Sequence, residues 1–496
     1  GLMCRSISAD AVDAGSADAR HGKHFSLAAT WMAQAATTSA AGVPAADAPS
    51  LQRCLLVDFA PALANSLKAR LTTVNVAETV DTVDLRHGSA DSCRGSYDLI
   101  LYSGLDPCGI IQTDGSHGSG PEAEYSAVRR CLGFLGDACS RASRIMMVTS
   151  GASSQDPCDL PEAETRRTSK ALVAILRSAR VEYPSVRMSA IDITGVSAEE
   201  GSIWTAVMAE LQQTSVEAEV SYRADGRRLV RRYQEVSEED TPMKLALTDR
   251  GSDSESAALR PISISNTGAY IITGGLGALG LLTAKVLVRH GARRLVLLSR
   301  SGRVSNEGQD LERELQWLQE QPGVTVELMR CDVSDESSLD RVLSEVRITG
   351  PIEGVVHSAG VLRDALMRGG GAESGSTDVW NSKARSARLL HESTASDDLK
   401  LFVTYSSIAA AYGNLGQAAY GAANAYLDAL MEERALAGKC GVCVQWPAIS
   451  GVGMAAATLA ASGGGDSGIM AEGTASPADV DQFISDLLSG AAGSRR

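Results

Sequence analysis

The chain has 496 residues, 44% hydrophobic and 21% charged, with a formal net charge of −14; it is longer than one typical domain and has the composition of an ordinary globular protein. No apolar run approaches the roughly 18 residues of a membrane-spanning helix, and so acidic a chain lacks the basic face that releases counterions from a phosphate backbone, so neither a membrane nor a nucleic acid is the expected partner. The ten cysteines are scattered without the spacing of a disulfide scaffold, which points to a reducing compartment, the cytoplasm.

Residues 1–23 and 33–50 are rich in Ala, Ser, Gly and Asp without periodicity and read as linker or irregular surface, with a strand between them at 25–31. The chain opens on Gly1, without an initiating Met or the regions of a signal peptide, as a piece excised from a longer polypeptide would. Continuous apolar runs at 54–57, 97–102 and 145–148 have the pattern of buried parallel strands. Leu172, Ile175, Leu176 and Ala179 mark a helix over 166–183; a strand follows at 188–193, and 219–230 reads as two strands joined by an Asp-Gly turn. A polar stretch from 234 to 266 closes this first unit. The second opens with a strand at 269–273, a glycine-rich turn and a helix through His290. Strands at 294–298, 324–329, 354–357, 401–405 and 442–446 then alternate with a helix carrying Leu311, Leu315 and Leu318 and with helices near 339–346, 379–390 and 419–434. Such alternation implies a doubly wound parallel sheet and an α/β fold class. The domain plan is a linker over 1–23, a structural unit over 24–250, a linker over 251–265 and a catalytic unit over 266–496. Cys440 and Cys443 lack the second ligand pair of a zinc site and read as two cysteines in an apolar strand, so no metal is expected. Ser476-Pro477 caps a terminal helix.

Gly275, Gly277 and Gly280 stand in G-x-G-x-x-G spacing between a strand and a helix, where glycine permits a tight turn and lets main-chain N–H groups approach a pyrophosphate. Twenty residues beyond Gly280, where an acid would bind the 2′-hydroxyl of NAD, the chain has Ser299-Arg300; an arginine there suits a 2′-phosphate and favours NADPH. Asp332 and Val333 end one strand, where a short acid can accept from an adenine amino group. His357, Ala359 and Gly360 end the next, where small residues let backbone pass close to the nicotinamide ribose. Thr273, Leu276 and Leu279 complete the expected cofactor-binding set.

Ser407 follows a strand, Tyr420 stands thirteen residues later and Asn424 four further on, on one helical face. Reducing a ketone needs a proton donor at the developing alkoxide, and a tyrosine of pKa about 10 needs a nearby cation to serve. Lys383 is the candidate cation. In the usual short-chain dehydrogenase that lysine follows the tyrosine by four residues; here Asn424 occupies the position and the lysine lies on the preceding helix.

In this exchange the chain resembles the ketoreductase domains of type I polyketide synthases and animal-type fatty acid synthases. The resemblance extends over Leu297-Leu-Ser-Arg300, His357-Ser-Ala-Gly-Val-Leu-Arg-Asp364, Gly413-Asn-Leu-Gly-Gln-Ala-Ala-Tyr420, Val444-Gln-Trp446 and Gly451-Val-Gly-Met454. In the first unit Val148-Thr-Ser-Gly-Ala152, Arg180-Val-Glu-Tyr-Pro184 and 222–231 resemble the structural subdomain of these enzymes, a truncated dinucleotide fold without a cofactor site, and no glycine fingerprint follows Val57. The resemblance implies two Rossmann-like subdomains and NADPH-dependent reduction of a β-ketoacyl thioester on the phosphopantetheine arm of an acyl carrier protein. By it Tyr420 donates the proton, Ser407 hydrogen-bonds the carbonyl, Lys383 lowers the tyrosine pKa and holds the nicotinamide ribose, and Asn424 positions the lysine and a relay water.

Family fingerprints for product hand fall at Asp364, which keeps the second aspartate of a Leu-Asp-Asp motif, and at Tyr412, where the opposite group has tryptophan; they imply a D-3-hydroxy product. Pro447 and Ile449 replace a glycine and an aromatic of the family segment, Gly369-Gly-Gly371 inserts one residue and loosens its loop, and 455–467 has the composition of a lid. Two other readings stay open. One is a free-standing short-chain dehydrogenase acting on a small ketone, which needs only about 250 residues. The other is a silent scaffold ketoreductase, against which the intact Lys383, Ser407, Tyr420 and Asn424 argue.

Overall fold

Residues Ala269–Thr273 form a strand with no exposed side chain, a central strand of its half whose apolar run is continuous because helices cover both faces of the sheet. The computed structural model describes residues 3–5, 26–33, 51–86, 95–105, 121–153, 161–194, 200–213, 216–236, 262–305, 309–454, 456–457 and 474–489. The segment 237–261, most of the expected lid and most of the linker over 1–23 lie outside them.

The first half contains strands β1 (Met3–Arg5), β2 (Ser26–Ala33), β3 (Leu51–Val57), β4 (Ala77–Val83), β5 (Tyr97–Gly104), β6 (Ala142–Thr149), β7 (Arg187–Thr194), β8 (Glu219–Arg223) and β9 (Arg228–Val236). Its helices are α1 (Pro61–Thr73), α2 (Pro121–Ala138), α3 (Ala163–Glu182) and α4 (Glu200–Leu211). The second half contains β10 (Ala269–Thr273), β11 (Arg294–Ser299), β12 (Thr325–Arg330), β13 (Ile352–His357), β14 (Leu401–Ser407) and β15 (Val442–Trp446). Around them lie α5 (Ala278–Arg289), α6 (Leu311–Gln319), α7 (Glu336–Thr349), α8 (Ser376–Trp380), α9 (Ser386–Ser393), α10 (Ile408–Tyr412), α11 (Ala418–Leu436) and α12 (Pro477–Ser489).

Among the described residues these fifteen strands form one sheet, in the order β12-β11-β10-β13-β14-β15-β1-β2-β9-β8-β7-β6-β5-β3-β4. The six strands β10 to β15 are parallel in the 3-2-1-4-5-6 order of a doubly wound dinucleotide fold. The first half repeats that plan without its third strand and with one strand added: β4-β3-β5-β6-β7 and the added β8 run parallel, and β9 turns back at Asp225-Gly226, where Gly226 takes φ +81. Strands β1 and β2 close the gap, β1 pairing parallel with β15 and antiparallel with β2, which pairs antiparallel with β9.

Three features correct the sequence-derived plan. Residues 3–5, inside the expected first linker, are a strand of the sheet. Ile262, inside the expected second linker, donates its N–H to Leu488 O (2.9 Å) and packs with the second half. Helices α1, α2 and α4 and edge strand β4 were not anticipated. Their signals are weak: α1 buries only Ala64, Leu67 and Leu71, too sparse a stripe for periodicity to stand out, and β4 alternates poorly because one edge is free.

The halves also meet face to face, α3 and α2 of the first half against α11 of the second. Helix α3 buries Ala171, Leu172, Ala174, Ile175, Leu176 and Ala179, small and branched residues that permit close approach. At this interface Glu124 is 1% exposed and accepts from Arg167 (Nε 3.0 Å) of α3, Arg388 (Nη1 2.7 Å) of α9 and the Tyr426 hydroxyl (2.9 Å) of α11. Arg167 also pairs with Glu433 and Lys170 with Glu432, both of α11.

Candidate active site

The carboxyl ends of β10, β11 and β13 lie in register, Thr273 opposite both Leu298 and His357, and the loops leaving them form one crevice at the point where the strand order reverses. The turn after β10 has no room for a side chain at Gly274, Gly275 or Gly280. Gly274 takes φ +63 and a Cβ there would come within 2.9 Å of the Ala359 main chain; one on Gly275 would lie 2.7 Å from Ile272 O, and one on Gly280 would collide with Gly274 O. Gly277 caps α5 with no side-chain hydrogen bond, so the helix N-terminus keeps its N–H groups for a ligand. A free helix start behind a turn that only glycine can build fits a pyrophosphate. The side chains of Thr273, Leu276 and His357 are wholly buried, so these three, expected to contact the cofactor, can offer it main chain only. Leu279, the second residue of α5, is half-buried.

Arg300, one residue past β11, is exposed and its side chain makes no hydrogen bond or ion pair among the described residues. Beside it lies Arg330, whose Nε donates to Arg300 O (3.4 Å) and whose stem packs on Gly302. Sequence reasoning missed Arg330; its only signal is a basic residue just before Asp332. Ser299 Oγ accepts from Gly302 N (2.8 Å), and Asp332 Oδ1 accepts from Ser334 N and Oγ, leaving Oδ2 open at the strand end. Val333 is buried beneath it.

Lys383 sits between α8 and α9 on a single π-helical turn, Asn381–Arg385, which the sequence did not reveal. The Lys383 carbonyl is met by the Ser386 N–H and, from outside the helix, by His357. Its Nε2 is 3.0 Å from Lys383 O, an acceptor only, so Nε2 carries the proton, and Nδ1 accepts from Thr273 Oγ1 at 2.7 Å. Burial pushes the imidazole pKa down to about 3, which keeps it neutral. Through His357, the strand that starts the glycine turn holds the turn that carries the lysine.

The Lys383 ammonium, on a residue 3% exposed, donates to Tyr405 O (2.9 Å) and stands 5.3 Å from the centre of the Tyr420 ring. A Cβ on Gly360 would lie 2.8 Å from Lys383 Cε, which is why glycine ends this segment. Asn424, fully buried, donates from Nδ2 to Tyr420 O (2.8 Å), while its Oδ1 has no partner. An unpaired buried acceptor costs about 1–3 kcal/mol and marks a place built to receive a donor. Ser407 ends β14 and caps α10, its Oγ accepting from Ala409 N (3.2 Å), so its own proton is free to point into the crevice. Behind Lys383 lies a buried polar cluster absent from the sequence reading: Cys443 Sγ and Gln445 Nε2 donate to Asp428 (3.0 and 2.7 Å).

Burial pushes Lys383 down to about 8, opposed by Cys443 and Asp428. Burial pushes Tyr420 up to about 12, opposed by the Asn424 side-chain amide. The Lys383 ammonium stands over the ring face, and desolvation is the largest influence on the hydroxyl. Asp364 accepts from Gln417 Nε2 (2.8 Å) at the rim, whereas Tyr412 stacks on Tyr233 of the first half, ring centres 4.6 Å apart. Gly369 and Gly370 take φ +69 and +75 in open space. Trp446, before Pro447, packs edge-on against Tyr405 and Phe483. Cys440 donates to Leu399 O and so does not pair with Cys443. Among the described residues no His, Cys, Asp or Glu group could hold a metal, and no helix is long and apolar enough to cross a membrane.

A doubly wound sheet, a glycine turn at its switch point and a lysine and tyrosine at the carboxyl ends of its strands define an oxidoreductase of the short-chain dehydrogenase class, which uses a nicotinamide cofactor. Residues 268–451 match the family model of the KR domain, and the chain is similar to the ketoreductases of type I polyketide synthases. The spectinabilin polyketide synthase system protein NorA of Streptomyces orinoci is 32% identical over 329 residues, 65% of this chain and 16% of that protein. The phenolphthiocerol synthesis polyketide synthase type I Pks15/1 of Mycobacterium marinum is 40% identical over 180 residues, 36% of this chain and 8% of its own length. A solved structure of A-type ketoreductases from a modular polyketide synthase superposes with a TM-score of 0.65 at 25% identity, over 93% of this chain and 91% of its own. The chain thus spans at most about a sixth of the curated relatives described, which are multidomain synthases.

Proposed function

We propose that this chain reduces a β-ketoacyl thioester, carried on the phosphopantetheine arm of an acyl carrier protein, to the D-3-hydroxyacyl thioester with NADPH. The observation that carries the reading is the meeting of Lys383, Tyr420 and Asn424 beside Gly360, at the mouth of a crevice whose glycine turn fits a dinucleotide. Gly275, Gly277 and the start of α5 would hold the pyrophosphate, Arg300 and Arg330 the 2′-phosphate, Asp332 the adenine and Lys383 the nicotinamide ribose. When bound, the cofactor supplies a hydride to the carbonyl carbon. The chain's own task is the oxygen. Ser407 and Tyr420 direct O–H donors at it, and Tyr420, fully protonated at neutral pH, gives up its proton as the alkoxide forms. Lys383 offsets the phenolate charge left behind, and the open Oδ1 of Asn424 accepts from the water or ammonium that returns the proton.

The test is NADPH oxidation with acetoacetyl thioester, free or carrier-bound, followed by chiral analysis. Mainly D product is expected; mainly L product overturns the assignment of hand, and no oxidation leaves the scaffold reading. Arg300→Ala should raise KM for NADPH about 10- to 100-fold, as loss of a charge-assisted contact does, and leave KM for NADH unchanged. Equal effects on both would remove Arg300 from the 2′-phosphate site.

The pH dependence follows from Lys383. It is an ammonium below about 8 and a neutral amine above, while Tyr420 keeps its proton to about 12. kcat/KM should therefore fall as pH rises through about 8, and Lys383→Arg should move that limb beyond pH 10 while lowering the plateau. A wild-type profile flat to pH 10 contradicts this.

A further inference from the structure

The side chain of Glu182, on the last turn of α3 in the half without a cofactor site, reaches out of its own half. Its Oε2 accepts the N–H of Met367 (2.8 Å) and its Oε1 the N–H of Gly416 (3.1 Å), main-chain groups of two separate loops of the catalytic half. Both loops border the candidate active site. The first runs from Asp364 to Gly371; the second leads from α10 through Gln417 into the helix that carries Tyr420. They are tied to each other by Ala365 N to Gly416 O (2.8 Å) and Gln417 Nε2 to Asp364 Oδ2 (2.8 Å).

The same end of α3 guides the second loop along its length. Arg177 donates to Ala410 O, and Ser178 Oγ accepts from Asn414 N (3.3 Å). Gly413, φ +76, lies so close to the Arg177 and Ser178 main chain that a Cβ would collide with it. Little else holds the tips. Leu366 and Leu415, each just before an amide that Glu182 binds, are 50% and 57% exposed, so apolar burial there contributes little. Met367 itself is buried, which anchors one side of the first loop, and the spacing between the loops is set by the carboxylate together with the two direct bonds between them. Only a group with two acceptors and no donor can satisfy both N–H groups; a glutamine in its place would turn an NH2 toward one of them.

We infer that Glu182 is a positioning residue for the reduction proposed above, setting the spacing of the two loops that flank the reacting carbonyl and, through them, which face of the carbonyl is presented to the cofactor. The inference rests on the reductase reading. Binding of the substrate in either of two orientations is a competition between two transition states, and a loosened rim narrows the gap between them. kcat falls as well, because Tyr420 follows directly on the held loop.

Glu182→Gln and Glu182→Asp test it in the full chain, the second keeping the charge but shortening the reach. In both, amide hydrogen exchange should quicken in segments 364–371 and 411–417 while the central strands stay protected. The minor enantiomer should rise by about tenfold, the factor expected from losing a charge-assisted hydrogen bond, with KM for NADPH unchanged. A purely structural role would lower stability without moving the enantiomer ratio of the molecules that remain folded. An unchanged ratio in both variants, with wild type active, overturns the inference whatever the exchange shows. Wild type without NADPH-dependent reduction overturns the reductase reading instead, and unchanged exchange in the two segments would then also remove Glu182 as the group that holds the loops.

Discussion

Tyr420→Phe should lose NADPH-dependent reduction by about 10²- to 10⁴-fold, the range that a positioned proton donor contributes, while the protein folds with unchanged stability. The ring packs at the edge of the main core and phenylalanine preserves it. The substitution deletes only the hydroxyl, whose proton the alkoxide needs. Asn424 keeps its bond to the residue's carbonyl, because that bond is made to main chain, and Lys383 keeps its bond to Tyr405 O. NADPH affinity should therefore hold, measured by fluorescence titration alongside single-turnover reduction of acetoacetyl thioester. Turnover within tenfold of wild type would remove Tyr420 as the donor and leave Ser407 as the remaining hydroxyl in place.

Glu124→Ala should be the most destabilising single change at the face between the halves. Glu124 is buried among Arg167, Arg388 and the Tyr426 hydroxyl, and burial raises its pKa against the pull of both guanidinium groups. Removing it leaves two cations and a phenol without their shared acceptor, at a cost of about 3–5 kcal/mol. Equilibrium unfolding in urea should show the midpoint falling with little change in slope, since the surface exposed on unfolding stays the same. Glu124→Gln, which can still accept one bond, should cost less. A midpoint within error of wild type for the alanine variant would mean that Glu433 and Glu164 take over both arginines.

The two readings, from sequence and from structure, agree where local pattern and local physics coincide. The glycine turn was legible because Gly275 and Gly280 answer steric demands of their own strand and helix, where a Cβ would collide. The strands of the second half were legible because burial on both faces forces continuous apolar runs. Helix α1 and strand β4 were not, since an outer helix with three buried residues and a free-edged strand carry little pattern. Tyr420, Ser407 and Asn424 could be grouped by spacing along one strand, loop and helix. Lys383 could be joined to them only through resemblance to a family, since nothing local brings a lysine on one helix to a tyrosine on another.

The sequence by itself determined the α/β class, the glycine turn, the arginine after β11 and the residue types proposed for proton transfer, because each depends on contacts within a few residues or on chemistry that a side chain carries anywhere. Only the tertiary structure decided how those groups are held. The π-turn under Lys383 with its neutral His357, the open acceptor of Asn424, the tyrosine pKa raised by burial, and the reach of Glu182 into two loops all arise from segments brought together across long stretches of chain. Hydrogen bonding and desolvation act through distance in space, which spacing along the chain does not encode.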